Sequence, residues 1–316
     1  MAQDQIMQLA VAAIRRGELV GMPTETVYGL AANALDPAAV VRIFAAKGRP
    51  SFDPLIVHIA DPEQAWDIAE ASPRARLLAA ACWPGPLTLV LPRKAMVPDV
   101  VTSGLETVGI RCPDHPLARE LIRACGVPLA APSANLFGRI SPTTAAHVAE
   151  QLGERVAVIL DGGPCRVGIE STVLVPDPTP LILRPGGVTR ERLAELLGEA
   201  VAVAGSSARA EHLPLQAPGM LASHYAPRKP LTLRQPGESW PVDPSVGVLA
   251  FRQPPALPQV ETLSPSGDLV EAAMRLFACL RRLDASPATR LIAELVPDAG
   301  LGLGINDRLR RAAGLG

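Results

Sequence analysis

Short apolar segments alternate with helix-forming segments along residues 1–198, and this alternation constrains the fold more than any other feature of the chain. Each apolar segment is three to five residues long, which suits a strand and is too short for a helix. Three helix starts are predicted where a capping side chain directly precedes a proline, at Asp36, Ser72 and Ser141. The alternation predicts an α/β domain. The predicted strands are Leu19–Met22, Leu55–Ile59, Leu87–Leu91, Val108–Arg111, Val156–Leu160, Ser171–Val175 and Leu181–Leu183.

The regular pattern weakens after Gly198, which is predicted to end a helix over Arg190–Leu197. Residues 199–230 are rich in Ala, Ser, Pro and Gly, and this composition predicts a linker. A smaller α/β domain is predicted over residues 231–316. Its predicted elements are strands Leu231–Arg234 and Val246–Phe251 and a helix opened by a capping box of Asp268 and Glu271.

Composition excludes several classes of protein. The net charge of −1 argues against non-specific binding of nucleic acid by the whole surface. The five cysteines are scattered and odd in number, which indicates reduced thiols and neither a disulfide framework nor a structural zinc site. The first 18 residues predict an amphipathic helix without the features of a signal peptide, and no apolar run reaches membrane-spanning length. We therefore expect a soluble, cytoplasmic protein.

The segment Lys47–His58 is the first candidate for chemistry. Only three of the 30 basic residues are lysines, and one of them, Lys47, stands two residues before Arg49. An ammonium group beside a planar guanidinium suits a phosphate or carboxylate ligand. The pair can equally complement the dipole at a helix end that Gly48 terminates, and His58 can equally be an ordinary core histidine. No second histidine or cysteine stands at ligand spacing, so we predict no metal site.

Polar residues follow most of the other predicted strands, where α/β sheets commonly bind ligands. Each group can also be explained by capping or by the covering of a sheet edge. The chain lacks both common nucleotide-binding glycine motifs and the Gly-x-Ser-x-Gly serine motif, so the serines are predicted to form hydrogen bonds and not to act as nucleophiles. The segments are Pro23–Leu30, Thr107–Arg111, Ala131–Asn135 with Ser141, Asp161–Gly163, Glu170–Thr172 and Arg184–Gly187.

Taken together, these segments resemble the threonylcarbamoyl-AMP synthase family, the YrdC-like enzymes, in their long two-domain form. The motifs that carry the resemblance are PTETVYGL (23–30), KGRPSFDPLIVH (47–58), TVGIR (107–111), APSAN (131–135), ESTV (170–173), LRPG (183–186) and SHYAP (223–227). The resemblance covers nearly the whole chain, including the ending GLGLGINDRLRRAA. That ending departs from the usual family pattern at Ile305–Asp307, so it supports no functional conclusion at this stage.

The resemblance implies a twisted mixed sheet in a YrdC-like catalytic domain over residues 1–198, a linker or lid over 199–230, and a Rossmann-like domain over 231–316. It implies synthesis of threonylcarbamoyl-AMP from L-threonine, bicarbonate and ATP, with Mg²⁺ accompanying the ATP. Partner enzymes would then transfer the threonylcarbamoyl group to ANN-decoding tRNAs, and direct tRNA binding is left open. No membrane partner is expected.

The resemblance also implies roles for individual residues. Lys47 and Arg49 would be the catalytic cations that clamp the phosphates, and Tyr225 would close over the site from the linker. The remaining ATP contacts would be Asp53, Thr107, Ser133, Ser141 and Arg184. L-Threonine or its carbamate would contact Thr26, His58, Arg111, Ala131 and Ser171.

Two other functions fit parts of the sequence. Carbamoyltransferases of hydrogenase maturation carry a similar domain, but they are longer and bring zinc-binding cysteine pairs and an acylphosphatase segment that this chain lacks. A non-catalytic RNA-binding module would use the same cleft for a nucleic-acid backbone. The near-neutral charge and the low aromatic content of 3% argue against an RNA-binding module.

Overall fold

The computed structural model describes residues 3–204 and 224–315, and it contains two sheets. The larger sheet is mixed and has the strand order β10-β9-β8-β4-β5-β3-β6-β2-β1-β7. Its strands are β1 (Val20–Met22), β2 (Gly29–Asn33), β3 (Ile56–His58), β4 (Leu87–Pro92), β5 (Thr107–Arg111), β6 (Leu129–Ala130), β7 (Val158–Ile159), β8 (Thr172–Val175), β9 (Leu181–Arg184) and β10 (Ala202–Val203).

Eight α-helices accompany this sheet in the described part of the chain. They are α1 (Gln3–Arg15), α2 (Pro37–Lys47), α3 (Ala65–Ile68), α4 (Pro73–Cys82), α5 (Asp99–Thr102), α6 (Pro116–Cys125), α7 (Ala145–Leu152) and α8 (Arg190–Leu197). Short 3₁₀ turns occupy Pro62–Gln64 and Gly153–Arg155.

The second sheet has four parallel strands, β11 (Leu231–Arg234), β12 (Val246–Ala250), β13 (Val260–Thr262) and β14 (Arg290–Glu294), in the order β11-β14-β12-β13. Helices α9 (Leu269–Ala285) and α10 (Gly302–Ala312) accompany it. The hydrophobic core around α9 and α10 also includes Val27, Ile140 and Ile169 of the first part of the chain. The two parts therefore share apolar packing beside the strand ends that carry the polar motifs.

Two of the three predicted helix starts are confirmed, and the third is wrong. Asp36 and Ser72 accept hydrogen bonds from the first turns of α2 and α4, as a capping residue before proline should. Helix α7 instead begins three residues beyond Pro142, where Thr144 accepts a hydrogen bond from the amide of His147. The Ser141 side chain is turned to another partner, since its hydroxyl donates to the carboxylate of Glu170 at 2.6 Å.

Other local expectations are refined by the structure. Gly48 ends α2 with a left-handed φ of 61°, as predicted. Asp268 caps α9, but the amide of Asp268 donates to the Ser264 hydroxyl at 2.8 Å and not to Glu271, so the capping box is half formed. Strand β10 extends the larger sheet into the segment expected to be a linker, and residues 205–223 of that segment lie outside the described residues. No helix within the described ranges is long and apolar enough to cross a membrane.

Strand pairing brings distant motifs to one place. Strands β3 and β5 run parallel, and their register sets His58 opposite Arg111. Strand β4 pairs in parallel with β8, next to the Glu170–Thr172 motif, and a bridge joins Gly29 to Ser133. The ends of these strands therefore form one wall of residues that are far apart in sequence.

Candidate active site

A cavity lies at these strand ends and is lined by residues from both sides of the undescribed segment. Nine of the thirteen predicted site residues line it directly. Glu170, Thr24 and His224 also line it, and the sequence did not single these out as site residues. The nine predicted lining residues are Thr26, Arg49, His58, Arg111, Ala131, Ser133, Ser171, Arg184 and Tyr225.

Lys47 lies just behind the lining residue Ser133. Its side chain is almost fully buried, and its ammonium group donates to the carbonyls of Ser133 and, at 2.5 Å, of Asn135. Burial, helped by the nearby charge of Arg49, lowers the pKa of Lys47 well below its ordinary value. Helix α2 supplies this residue at its last position, so the helix-end explanation and the binding explanation apply to the same side chain.

Arg49 forms a buried ion pair with Asp53, with 2.8 Å between Nη2 and Oδ1. Arg49 also donates to the carbonyls of Asp53 and Pro54 at 3.2 and 3.0 Å. Burial lowers the pKa of Arg49 and raises that of Asp53. Asp53 does not line the cavity, so its visible role is to hold the guanidinium that does.

Arg111 is held from two directions at the other end of the cavity. Its Nη2 pairs with the Glu25 carboxylate at 2.6 Å, and its Nη1 donates to the Thr26 hydroxyl at 2.8 Å. The neighbouring His58 has its Nδ1 3.2 Å from the Ile56 carbonyl. Burial, with the charge of Arg111, lowers the pKa of His58 to about 3, so this imidazole is neutral at pH 7.

Arg184 and Ser171 lie together on the floor of the cavity. The Arg184 guanidinium donates to the Ser171 carbonyl at 2.9 Å and to its hydroxyl at 3.3 Å. The same hydroxyl is 2.8 Å from the hydroxyl of Thr88. Burial lowers the pKa of Arg184, because the guanidinium lies inside the protein and away from water.

Glu170 joins this wall to the second part of the chain. Its two carboxylate oxygens accept from Ser141 at 2.6 Å and from Arg308 of α10 at 2.7 Å. Ser141 therefore sits one contact away from the cavity. Arg308 was not predicted as a site residue from the sequence. The one available signal was that it is an arginine in a chain ending that resembles the family.

Tyr225 closes one side of the cavity. Its side chain is buried, and its backbone adopts a left-handed φ of 64°, which is uncommon for a bulky residue. Its ring packs between His224 and Phe277, with ring centres 4.2 and 5.6 Å away. Of the predicted segment Ser223–Pro227, Ser223 lies outside the described residues.

Thr107 is the one predicted site residue that the structure places elsewhere. It begins β5, whereas the cavity residue Arg111 ends it, so strand rise puts their Cα atoms about 13 Å apart. Thr107 instead lines a small neighbouring cavity with Thr102 and Pro54. Thr107 and Arg111 were both predicted to lie in the site because a five-residue motif does not show which end of its strand faces a ligand.

The charges around the cavity do not balance. In the described part of the chain, three buried carboxylates and five buried cations surround it: Glu25, Asp53 and Glu170 against Lys47, Arg49, Arg111, Arg184 and Arg308. His58 and His224 add no charge at pH 7, because burial lowers the pKa of each to about 3. A buried cavity with excess positive charge and several hydroxyls is complementary to a ligand that carries more than one negative charge.

The fold and site together define a YrdC-like α/β protein that has a cavity rich in buried cations at its strand ends and a second, smaller α/β domain. A family model described as "Telomere recombination" (Sua5/YciO/YrdC) matches residues 12–186. A model described as "Threonylcarbamoyl-AMP synthase, C-terminal domain" matches residues 188–314. The chain belongs to the threonylcarbamoyl-AMP synthase family.

Curated relatives of this family align with nearly the whole chain. The threonylcarbamoyl-AMP synthase of Bacillus subtilis is 46% identical, with 98% of this chain and 93% of the relative aligned. The one from Pyrococcus abyssi is 43% identical, with 98% and 94% aligned. The expected family is thus confirmed over both domains.

Solved structures agree with the fold. The crystal structure of P. abyssi Sua5 complexed with L-threonine superposes with a TM-score of 0.88 at 39% identity, covering 100% of this chain and 96% of that one. A variant of the same enzyme with a histidine and a tyrosine replaced by alanine gives a TM-score of 0.87 at 39% identity, covering 99% and 94%. The predicted fold class is confirmed.

Proposed function

We propose that this chain condenses L-threonine, bicarbonate and ATP into threonylcarbamoyl-AMP and releases pyrophosphate. The observation that carries the proposal is Lys47, a buried ammonium at the cavity wall held only by the carbonyls of Ser133 and Asn135 within the described residues. Two carbonyls do not neutralise a buried charge, whereas a phosphate group would. The relatives are named threonylcarbamoyl-AMP synthases, and we propose ATP as the source of both the AMP group and that phosphate.

The reaction needs no nucleophilic side chain. The threonine amine attacks the carbon of bicarbonate, and loss of water leaves a carbamate. A carbamate oxygen then attacks the α-phosphorus of ATP, and the bond between the α-phosphorus and the α–β bridging oxygen breaks to release pyrophosphate. The protein's part is to gather anions and to stabilise charge in the transition state.

The phosphate end of the site is proposed to lie beside Lys47 and Arg49. Both are buried and face the same wall, and Asp53 orients the guanidinium of Arg49. Arg184 and Ser133 extend this end along the cavity, and Ser141 contributes through Glu170. A nucleotide contact at Thr107 requires the ligand to reach the neighbouring cavity, which shares Ile56 with the main one.

The threonine end is proposed to lie between Arg111, Thr26 and His58. A guanidinium fixed by Glu25 and Thr26 is preorganised to meet a carboxylate. A neutral His58 can donate or accept one hydrogen bond without adding charge. The amide of Ala131 already donates to the Ile56 carbonyl at 3.1 Å, so the Ala131 carbonyl is the backbone group proposed for contact, with Ser171 beside it. The P. abyssi structure complexed with L-threonine supports threonine as a ligand of this fold.

Tyr225 is proposed to act as a cover over the bound adenylate. Its ring forms part of the cavity wall, and its position within the predicted linker or lid over residues 199–230 suits a segment that opens and closes. Exclusion of water protects an acyl-phosphate-type intermediate from hydrolysis.

The described residues do not form a magnesium site of their own. Among the described residues no group of three or more His, Cys, Asp or Glu side chains is placed to hold a metal ion. The nearest buried carboxylates, Asp53 and Glu170, are each engaged by an arginine. Mg²⁺ would therefore enter with ATP, held by phosphate oxygens and water.

Downstream, the product is proposed to pass to enzymes that transfer the threonylcarbamoyl group to ANN-decoding tRNAs in the cytoplasm. The adenylate is an activated acyl donor, so its consumer must be a group transferase. The cavity is buried and lined by side chains, which suits small anionic substrates better than a nucleic-acid backbone.

The product itself provides the direct test. The full chain is incubated with ATP, L-threonine and ¹³C-bicarbonate, and the quenched mixture is examined by mass spectrometry. We expect threonylcarbamoyl-AMP that carries one ¹³C atom. Conversion of ATP without a labelled threonine adduct would overturn the proposal.

A further inference from the structure

Arg308 lies on helix α10 of the second domain, yet it contacts the cavity wall of the first. Its side chain is fully buried. Its Nε donates to Glu170 at 2.7 Å. Its Nη1 donates to the carbonyl of Pro185 at 2.8 Å and to the carboxylate of the neighbouring Asp307 at 2.6 Å. Its guanidinium carbon lies 5.3 Å from the centre of the Tyr225 ring. One guanidinium thus contacts three segments that each carry or adjoin a cavity-lining residue.

Glu170 is the contact with the greatest consequence. Burial alone would raise its pKa, but the charges of Arg308 and Arg184 and the Ser141 hydrogen bond outweigh burial and lower it. The carboxylate is therefore ionised at neutral pH. Glu170 lines the cavity together with Arg184 and with Ser133, whose carbonyl holds Lys47, so its charge acts on both cations.

The backbone of α10 is docked unusually closely against the same wall. A Cβ atom added at Gly304 would lie 2.9 Å from the Ile169 Cδ1 atom and 3.3 Å from the Gly186 Cα atom. Gly304 precedes Arg308 by about one helical turn, so both lie on one face of α10. This close approach brings the guanidinium within reach of Glu170.

We propose that Arg308 is a positioning residue for the reaction. By holding the Glu170 carboxylate toward the second domain, it keeps that carboxylate from pairing with Lys47 and leaves the Lys47 ammonium for the phosphates of ATP. The second domain thereby completes the ATP site without touching the substrate. This inference rests on the proposed function, because it assigns Lys47 to ATP.

The first test removes the charge with Arg308→Gln. The matched control is Arg234→Gln, which breaks another buried arginine–glutamate pair of the second domain, 2.6 Å long, that does not line the cavity. We expect Arg308→Gln to weaken ATP binding, measured by calorimetry, by about tenfold or more, because Glu170 then competes as an internal anion. The KM for threonine stays within about threefold of wild type. Equal ATP affinity in Arg308→Gln and Arg234→Gln would overturn the inference.

A double variant separates positioning from general loss of structure. In Glu170→Gln the competing charge is absent, so adding Arg308→Gln should change ATP affinity by less than about threefold. A further tenfold loss in the double variant would show that Arg308 acts by another route. If Arg308→Gln alone does not fold, this comparison and Arg308→Lys, which keeps the charge and should retain most ATP affinity, decide the question.

The failure of this inference differs from failure of the proposed function. If the wild-type chain forms labelled threonylcarbamoyl-AMP but Arg308→Gln behaves like Arg234→Gln, only the positioning role is wrong. If the wild-type chain forms no product, the proposed function is wrong. The ATP titrations of the five variants then still determine whether Arg308 controls Glu170.

Discussion

Replacing Lys47 with methionine removes one positive charge from the cavity wall and keeps a side chain of similar length. Lys47 is 2% exposed, and its ammonium group is held by the Ser133 and Asn135 carbonyls. Asp53 and Glu170 lie close enough to favour its charged form, but neither forms an ion pair with it. If a phosphate completes this environment, the variant should lose that interaction in full.

The expected effect on turnover follows from the loss of one preorganised donor. Removing such a donor costs about 3–4 kcal/mol of transition-state stabilisation, so kcat should fall by roughly 100- to 1,000-fold. The effect on stability should be small. Each lost hydrogen bond to the ammonium contributes about 1.5–3 kcal/mol, and relief from burying the charge offsets these losses. We expect the free energy of unfolding to change by less than about 2 kcal/mol.

The assay is release of pyrophosphate at saturating ATP, threonine and bicarbonate, with urea unfolding measured on the same samples. Lys94→Met is the matched control, because Lys94 also donates to a backbone carbonyl, that of Trp66 at 2.6 Å, but lies away from the cavity. A Lys47→Met variant with more than about a third of the wild-type kcat would refute the reasoning. So would an equal loss in Lys94→Met.

The burial of Lys47 also predicts how the stability difference between the wild type and Lys47→Met changes with pH. Burial lowers the pKa of Lys47 in the folded state, so the unfolded chain binds more protons between that lowered pKa and the ordinary value of 10.5. The stability of the wild type should therefore rise with pH in this interval relative to Lys47→Met. A difference that falls as pH rises would contradict a lowered pKa for Lys47 in the folded state.

Three further predictions concern other parts of the site. Arg111→Gln leaves the Glu25 carboxylate buried without its ion pair, so the free energy of unfolding in urea should fall by about 3–5 kcal/mol. The KM for threonine should also rise at least tenfold. A variant as stable as the wild type would contradict this prediction. Tyr225→Phe removes a hydroxyl that has no hydrogen-bond partner among the described residues, so the free energy of unfolding should change by less than about 1 kcal/mol. The KM for ATP should rise about fivefold, because the hydroxyl is then missing from the ATP site. An unchanged KM would show that this hydroxyl does not contact ATP. Burial raises the pKa of Cys165 to about 12 and that of Cys112 to about 11, so iodoacetamide at pH 7 should leave activity intact, and rapid inactivation would show a reactive thiol.

Local signals in the sequence predicted much of the fold. Strand alternation located the segments of the larger sheet, and the left-handed glycine at Gly48 and the caps at Asp36 and Ser72 appear where capping chemistry requires them. Short strands such as Leu129–Ala130 carry too few residues to show an alternation. Ser141 was predicted as a cap because serine before proline favours a helix start, but a buried carboxylate 29 residues away in sequence bonds to it instead.

The site was harder to predict where partners come from distant segments. The predicted site residues His58 and Arg111 share one wall because parallel pairing of β3 and β5 sets them opposite each other. The same pairing carries Thr107 to the far end of its strand, which no local pattern indicates. Arg308 lies 138 residues from Glu170, and only the docking of α10 brings the two together.

The central claim is that ATP is consumed only together with threonine and bicarbonate. Pyrophosphate release by the full chain, measured with each of the two omitted in turn and with bicarbonate removed by degassing, tests it most directly. We predict release with all three substrates and at least about a tenfold lower rate when either one is missing, because the attacking carbamate then cannot form. Release at the full rate without threonine or without bicarbonate would contradict the account.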